Sequence, residues 1–184
     1  AVHFASPPFT SPMSEMKVHD LLAKVAKYSG TIKLITVPFT EIQENIRDKC
    51  PEELFTLIMR RYMMRISNIL AEKEGCEAIV TGESVGQVAS QTLTAMMSTD
   101  SVSRLPVLRP LVGMDKNEIV VISRKIDTFD ISIRPFEDCC TVFTPKHPRL
   151  LPKPEEIEKA ELSLDSDALI SRAVEGVKQE LITF

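Results

Sequence analysis

Short apolar runs rich in β-branched residues alternate along this chain with longer segments of helical periodicity. The runs "VHFA", "TIKLITVPF" and "EAIV" have the composition of strands, and each precedes a segment with helical spacing or signals. Because strands that are joined through helices usually run parallel, this order predicts an α/β fold, a parallel sheet with helices on both faces. Ligands of such sheets bind beyond the carboxyl ends of the strands, so the loops there are the candidate site.

Several elements carry start and stop signals. Pro51, the acids that follow it and Gly75 bracket a long helix, since proline is favoured at the first helical position and glycine just past the last. Asp115 is the expected N-cap of a helix over "KNEIVVISRKI". We also predict a helix over 86–97, a strand over "TFDISI", and one or two polar helices in the last 30 residues.

Length and charge limit the possible functions. The 184 residues suit a single domain over 1–184 with a C-terminal helical tail over 152–184. The net charge of −4, without a basic block, argues against strong nucleic-acid binding by this segment alone. No signal peptide or membrane span is evident, so we expect a cytoplasmic location and no membrane partner. The four cysteines fit no zinc spacing, and no metal site is predicted.

The stretch "CEAIVTGESVGQVASQT" places two of the six glycines, Gly82 and Gly86, at one strand-to-helix junction. A glycine directly after a strand allows a ligand to approach the backbone closely, although a plain turn glycine has the same pattern. Gln91 is expected about one turn inside the following helix, where it could reach a ligand or simply face solvent.

The long helix carries Arg60, Arg61 and Arg65. The neighbours of Arg60 at helical spacing are mostly apolar, so its guanidinium must extend to water or contact an anion or a ring. Arg61 and Arg65 are expected to be exposed surface charges.

Two further places combine polar chemistry with loop or strand ends. His3 and Phe4 end the first strand and face opposite sides, so that one could enter the core while the other meets a ligand, although a lone strand histidine is usually structural. Cys139 and Cys140 are neighbours in a proline-rich loop, and in extended backbone one thiol would face in and the other out. The residues alone leave open whether either thiol reacts.

Three segments, "VHFASPPFTS", "CEAIVTGESVGQVASQT" and "IRPFEDCCTVFTPKHP", resemble in order and spacing the adenylation domain of the tRNA 4-thiouridine synthetases, also called thiamine-biosynthesis sulfurtransferases (the ThiI family). The resemblance implies a PP-loop ATP pyrophosphatase fold, which is a Rossmann-like, adenine nucleotide alpha hydrolase-like sheet. It implies that ATP, with Mg²⁺, adenylates O4 of uridine 8 in tRNA, and that persulfide sulfur from a cysteine desulfurase then yields 4-thiouridine. A homodimer and a link to the thiamine thiazole are also implied.

The resemblance also assigns roles to residues that the local patterns left open. By matching motifs, the ATP-binding residues would be His3, Phe4, Arg60, Gly82 and Gln91. Cys140 would be the catalytic thiol, because "CTVF" matches the family segment that begins at the cysteine, and Cys139 is the runner-up. In the family this thiol resolves a persulfide by forming a disulfide.

The sequence departs from the family pattern in one respect that matters for activity. The serine-glycine-glycine-x-aspartate-serine signature of the PP-loop should precede His3, and no such run occurs. RNA-binding and rhodanese segments of the family are also not found, so we expect a fragment that is inactive alone and binds tRNA through domains outside it. The alternatives are another PP-loop amidotransferase or ligase, and a non-catalytic nucleotide-binding or assembly module.

Overall fold

A computed structural model describes residues 1–184, which divide into two compact units. The first unit comprises Ala1–Thr40, Asp115–Val142 and Gly176–Phe184, and the second comprises Glu41–Met114 and Phe143–Glu175. The strands are β1 (Val2–Ala5), β2 (Ile32–Pro38), β3 (Ile79–Val80), β4 (Val107–Leu108) and β5 (Lys178–Ile182). The helices are α1 (Pro12–Ser29), α2 (Thr40–Lys49), α3 (Phe55–Lys73), α4 (Leu93–Asp100), α5 (Lys116–Lys125), α6 (Phe129–Ser132), α7 (Pro154–Glu161) and α8 (Ser166–Glu175).

The first unit is built on a three-stranded sheet in the order β1-β2-β5. β1 runs parallel to β2, and Phe4 lies opposite Val37 in the register. β2 is the central strand. Its sequence is mostly apolar, and the side chains of Leu34, Ile35 and Val37 are buried there. β5 pairs with β2 in the antiparallel sense, so this sheet is mixed. Helix α1 packs against β2, β5 and α6.

The second unit is organised around α3, which packs against α4, α7 and α8. Its apolar stripe includes Ile58, Met59, Tyr62 and Ile66, all of them inaccessible to solvent. β3 and β4 form a two-stranded parallel pair beside it. The expected helix after Pro51 is confirmed, with a 3-10 turn over Glu52–Leu54 before α3 begins. The parallel pairing predicted for the strands is confirmed for β1 with β2 and for β3 with β4.

The helix capped by Asp115 is also confirmed. Asp115 accepts hydrogen bonds from the backbone N–H groups of Asn117 and Glu118, and the Glu118 side chain accepts one from the backbone N–H of Asp115. This reciprocal capping box satisfies N–H groups that a helix start leaves without partners.

The predicted strand over "TFDISI" is wrong, because the chain forms the short helix α6 there. Asp127 adopts a left-handed φ of 59°, and the Thr128 backbone N–H then donates to the Ser123 carbonyl. This reversal directly after α5 starts the short helical turn of α6, in which Ile131 is the buried residue. Strand and helix patterns cannot be separated by periodicity in so short a run.

The last 30 residues hold two helices, as expected, and also strand β5. Its sequence "KQELI" has little apolar character, and only Ile182 among its five residues is partly buried, while the other four are exposed. An edge strand of this kind takes its place from backbone pairing, which composition does not reveal. No helix in the chain is both long and apolar enough to cross a membrane.

Candidate functional site

The Arg60 guanidinium pairs with an anion rather than extending to solvent. It projects from α3, and its Nη2 donates to Oε1 of Glu83 in the loop after β3. Glu83 is only 4% exposed. Its other oxygen, Oε2, accepts from Nε of Arg109 at 2.6 Å and from the Thr81 hydroxyl at 2.9 Å. The carboxylate therefore holds two arginines at the end of β3.

Arg109 extends this cluster to α4. Its Nη1 and Nη2 both donate to the carboxylate of Asp100, the last residue of α4. We call Arg60, Thr81, Glu83, Asp100 and Arg109 the Glu83 cluster. Burial by itself raises the pKa of Glu83, but the charge of Arg60 and a hydrogen bond from Arg109 outweigh burial and leave that pKa below its ordinary value. Glu83 is therefore ionised at neutral pH.

One donor of the cluster has no acceptor. Nε of Arg60 is buried and makes no hydrogen bond. A buried donor without a partner costs free energy, and such a group often belongs to a ligand contact. Arg60 thus keeps one N–H that no acceptor of this chain satisfies, while its Nη2 donates to Glu83.

The loop between β3 and α4 brings Gly82 and Gln91 into one segment. A methyl group added at Gly82 would meet no atom within 4 Å, so the backbone is open on that side. Gln91 Oε1 accepts from the Ser84 backbone N–H at 3.4 Å, and the Gln91 carbonyl accepts from the N–H of Gly86 at 3.0 Å. These bonds close the loop on itself directly beyond Gly82.

The prediction that Gln91 lies inside a helix is wrong. It ends a 3-10 turn over Ala89–Gln91, and α4 begins only at Leu93. The Thr92 hydroxyl accepts from the Ala95 N–H and so caps α4. The helical expectation over 86–97 overlooked this threonine as a start signal.

The prediction that Arg61 and Arg65 are exposed is also wrong. Arg61 is 2% exposed, and its Nε and Nη2 donate to both oxygens of Glu161 on α7, at 2.8 and 3.0 Å. Arg65 donates to the same two oxygens, at 3.0 and 2.7 Å. The helical pattern correctly places both arginines on α3. Their acceptor, however, lies 96 or more residues further along the chain, so the local pattern does not show it.

In the first unit, His3 is partly buried on β1 and its Nε2 makes no hydrogen bond. Burial lowers the pKa of the His3 imidazole, and the negative charges of Glu15 and Asp138 only partly oppose that effect. Phe4, next along the strand, packs edge-on against Phe39 with ring centroids 4.9 Å apart. His3 therefore presents a neutral imidazole with an unsatisfied nitrogen, and the next residue, Phe4, presents an aromatic ring.

The vicinal cysteines occupy a 3-10 turn over Cys139–Thr141. Cys139 is buried and Cys140 is exposed, so one thiol faces in and the other out, but through a 3-10 turn and not through the extended backbone on which that expectation depended. Their Sγ atoms are 4.0 Å apart and form no disulfide. A hydrogen bond with Cys140, followed by burial, raises the pKa of Cys139 far above that of an ordinary thiol. Of the two, only Cys140 combines a thiol with access to solvent.

Helix α1 holds the thiol segment at two points. Nζ of the buried Lys17 donates to the Phe136 carbonyl at 3.3 Å, and Arg134 forms an ion pair with Asp20. Asp138, directly before the cysteines, is close enough to influence His3 electrostatically. His3, Phe4 and Cys140 thus belong to the first unit, whereas Arg60, Gly82 and Gln91 belong to the second.

Sequence reasoning missed Glu83 and Arg109. Glu83 follows Gly82 in "TGES", and Arg109 follows the short β4. A charged residue within three positions of a strand end is the signal that could have found both, because parallel strands end at the same sheet edge.

Comparisons with known proteins agree with this architecture. The crystal structure of a 4-thiouridine synthetase–RNA complex with bound ATP is similar to this chain with a TM-score of 0.93 and 41% identity, over 98% of this chain and 48% of that one. The chain is 55% identical to a probable tRNA sulfurtransferase of Brevibacillus brevis, over 100% of this chain and 46% of that protein. It is 51% identical to a probable tRNA sulfurtransferase of Streptococcus suis, over 96% of this chain and 44% of that protein.

The fold defines a Rossmann-like α/β protein of the PP-loop ATP pyrophosphatase type, as the resemblance implied. A family model described as thiamine biosynthesis protein (ThiI) matches residues 1–165, and the chain belongs to that family. The chain spans about half the length of the curated relatives it matches.

Proposed function

We propose that this chain is the ATP-binding and sulfur-transferring part of a tRNA sulfurtransferase that makes 4-thiouridine at position 8. The observation that carries the proposal is the likeness over nearly the whole chain to a 4-thiouridine synthetase with bound ATP and RNA. Two buried nitrogens without hydrogen-bond partners, Nε of Arg60 and Nε2 of His3, support ATP as the substrate. Phe4, Gly82 and Gln91 are the remaining proposed contacts.

The chemistry proceeds in two stages. O4 of uridine attacks the α-phosphorus of ATP, pyrophosphate leaves, and the carbonyl oxygen becomes part of an AMP leaving group. The terminal sulfur of a persulfide then attacks C4, AMP departs, and the base is joined to the sulfur carrier through a disulfide. Cys140 attacks the carrier sulfur, which releases 4-thiouridine and leaves a disulfide that an external thiol reduces. The exposure of Cys140 supports this role, whereas burial of Cys139 disfavours it.

The partners in this scheme follow from its reactants. The chain's net charge of −4 supports tRNA binding mainly by parts of the protein outside this chain. A cysteine desulfurase would supply the persulfide sulfur, and the same sulfur would pass toward the thiazole of thiamine. Mg²⁺ would arrive with the ATP phosphates, because no three His, Cys, Asp or Glu side chains are grouped to hold a metal. A cytoplasmic homodimer completes the proposal.

Substitution of the two thiols in the full-length natural protein tests this function. We expect Cys140→Ser to abolish 4-thiouridine in tRNA, measured by mass spectrometry of nucleosides, while ATP-dependent release of pyrophosphate with tRNA persists. Cys139→Ser, made in parallel, should retain most of the product. Unchanged 4-thiouridine in Cys140→Ser would instead favour a non-catalytic nucleotide-binding module.

A further inference from the structure

The position of Glu83 is set by groups other than Arg60. Its Oε2 accepts from Arg109 and Thr81, and Arg109 is itself clamped on Asp100 through two N–H groups. Glu83 is 4% exposed, so its carboxylate cannot exchange these donors freely for water. The carboxylate is therefore a fixed acceptor, held in place by groups at the ends of β3, β4 and α4.

Arg60, in contrast, depends on Glu83. It donates through Nη2 to Glu83 Oε1, while its buried Nε makes no hydrogen bond. Arginine has several rotatable bonds, and a guanidinium held at one edge loses most of that freedom before a ligand arrives. The Arg60 side chain keeps 21% of its surface exposed, and a donor there that Glu83 does not occupy can meet an acceptor at little further entropic cost.

We infer that Glu83 is a positioning residue that holds the Arg60 guanidinium in the orientation that binds ATP. This inference rests on the proposed function and names a residue through which the nucleotide contact at Arg60 is preorganised. Glu83 acts through Arg60 and needs no contact with the nucleotide.

If Glu83 acted only through its charge, its removal would have the opposite effect on ATP binding. Arg60 and Arg109 carry two positive charges, and Glu83 and Asp100 carry two negative charges, so the cluster is formally neutral. Removing the Glu83 charge would leave one net positive charge, which would attract the phosphates of ATP more strongly. If Glu83 served only to neutralise charge, its loss would therefore tighten ATP binding.

Glu83→Gln in the full-length natural protein distinguishes the positioning role of Glu83 from a role in charge neutralisation. The amide keeps the shape but turns an NH₂ group toward the donor of either Arg60 or Arg109. We expect the Kd for ATP, measured by calorimetry, to rise about 10-fold, roughly the loss of one charge-assisted hydrogen bond. An unchanged or lower Kd would overturn the inference.

A double-mutant cycle shows whether Glu83 acts through Arg60. We expect Arg60→Ala to weaken ATP binding by at least the same factor, and Arg60→Ala combined with Glu83→Gln to be no more than about 2-fold weaker than Arg60→Ala. Additive losses would overturn the inference while leaving Arg60 as a nucleotide contact. If Arg60→Ala alone leaves the Kd unchanged, the proposed role of Arg60 fails first, and the inference falls with it.

Glu161→Gln is the matched control. Glu161 is also a buried carboxylate shared by two arginines in the same unit, but it is not part of the Glu83 cluster. We expect it to lower the thermal midpoint by as much as Glu83→Gln and to change the Kd for ATP by less than about 2-fold. Equal weakening of ATP binding by both substitutions would indicate general destabilisation and overturn the positioning role.

Discussion

Arg61 and Glu161 form a two-point ion pair inside the second unit, with Nε–Oε1 and Nη2–Oε2 distances of 2.8 and 3.0 Å. The pair joins α3 to α7, and Arg61 also donates to the Ser98 carbonyl and the Ser101 hydroxyl. Four hydrogen bonds therefore hold this guanidinium, all of them to acceptors outside α3. Burial raises the pKa of Glu161, but hydrogen bonds from Arg65 and Arg61 outweigh burial and lower it overall.

Removing one partner of this pair should destabilise the protein strongly. We expect Glu161→Ala to lower the free energy of unfolding by about 3–5 kcal/mol, because it leaves Arg61 charged and without its acceptor in the interior. Urea unfolding measures the change. The control is Glu156→Ala, which breaks an exposed pair with Arg149 and should leave the urea midpoint nearly unchanged. Similar midpoints for the two variants would contradict the buried pairing.

The buried imidazole of His3 should make stability depend on pH. Its pKa in the folded state is lowered, so the unfolded chain binds a proton at a higher pH than the folded protein does. The stabilising contribution is present above about pH 6.5, the ordinary histidine pKa, and is lost as the pH falls through the folded-state pKa. Urea unfolding of His3→Gln should show a smaller loss of stability below about pH 6.5 than wild type.

Exposed His147 provides the comparison for that experiment. His147→Gln should reproduce the pH profile of the wild type. If His3→Gln and wild type lose stability equally on acidification, the neutral, buried His3 is excluded.

The two neighbouring thiols should differ in reactivity. Under native conditions iodoacetamide should alkylate Cys140, which is exposed, and leave Cys139 unmodified, because a hydrogen bond with Cys140, together with burial, raises the pKa of Cys139. Peptide mass spectrometry after short exposure reads both positions, with exposed Cys76 as the reference thiol. Both cysteines should react once the protein is denatured. Modification of Cys139 as fast as Cys76 would rule out the buried arrangement.

Two glycines in one loop should respond differently to a methyl group. Gly86 has a φ of +79°, so Gly86→Ala should destabilise the fold by about 1 kcal/mol through backbone strain. Gly82 has no such φ, and its added methyl would meet no atom within 4 Å, so Gly82→Ala should leave unfolding unchanged. If ATP approaches the backbone there, Gly82→Ala should nevertheless raise the Kd for ATP. A stable variant with unaltered ATP binding would remove Gly82 from the proposed contacts.

Local signals predicted the elements whose boundaries are set by neighbours in sequence. Asp115 caps α5 through bonds within three residues, and Pro51 begins the 3-10 turn that leads into α3. The same local reading failed over 128–133, where the helical turn α6 depends on the reversal after α5. Gln91 lies outside α4 because the Thr92 hydroxyl caps that helix, a start signal that the glycine pattern of the loop does not reveal.

The sequence by itself determined the alternation of strands and helices, the caps of individual helices and the family motifs. These depend on residues within a few positions of one another, where backbone geometry limits the outcome. Only the tertiary structure decided that the buried Arg61 and the partly buried Arg65 both pair with Glu161, and that Glu83 joins Arg60 to Arg109. A buried charge takes its partner from whichever element packs against it, and spacing along the chain does not encode that choice.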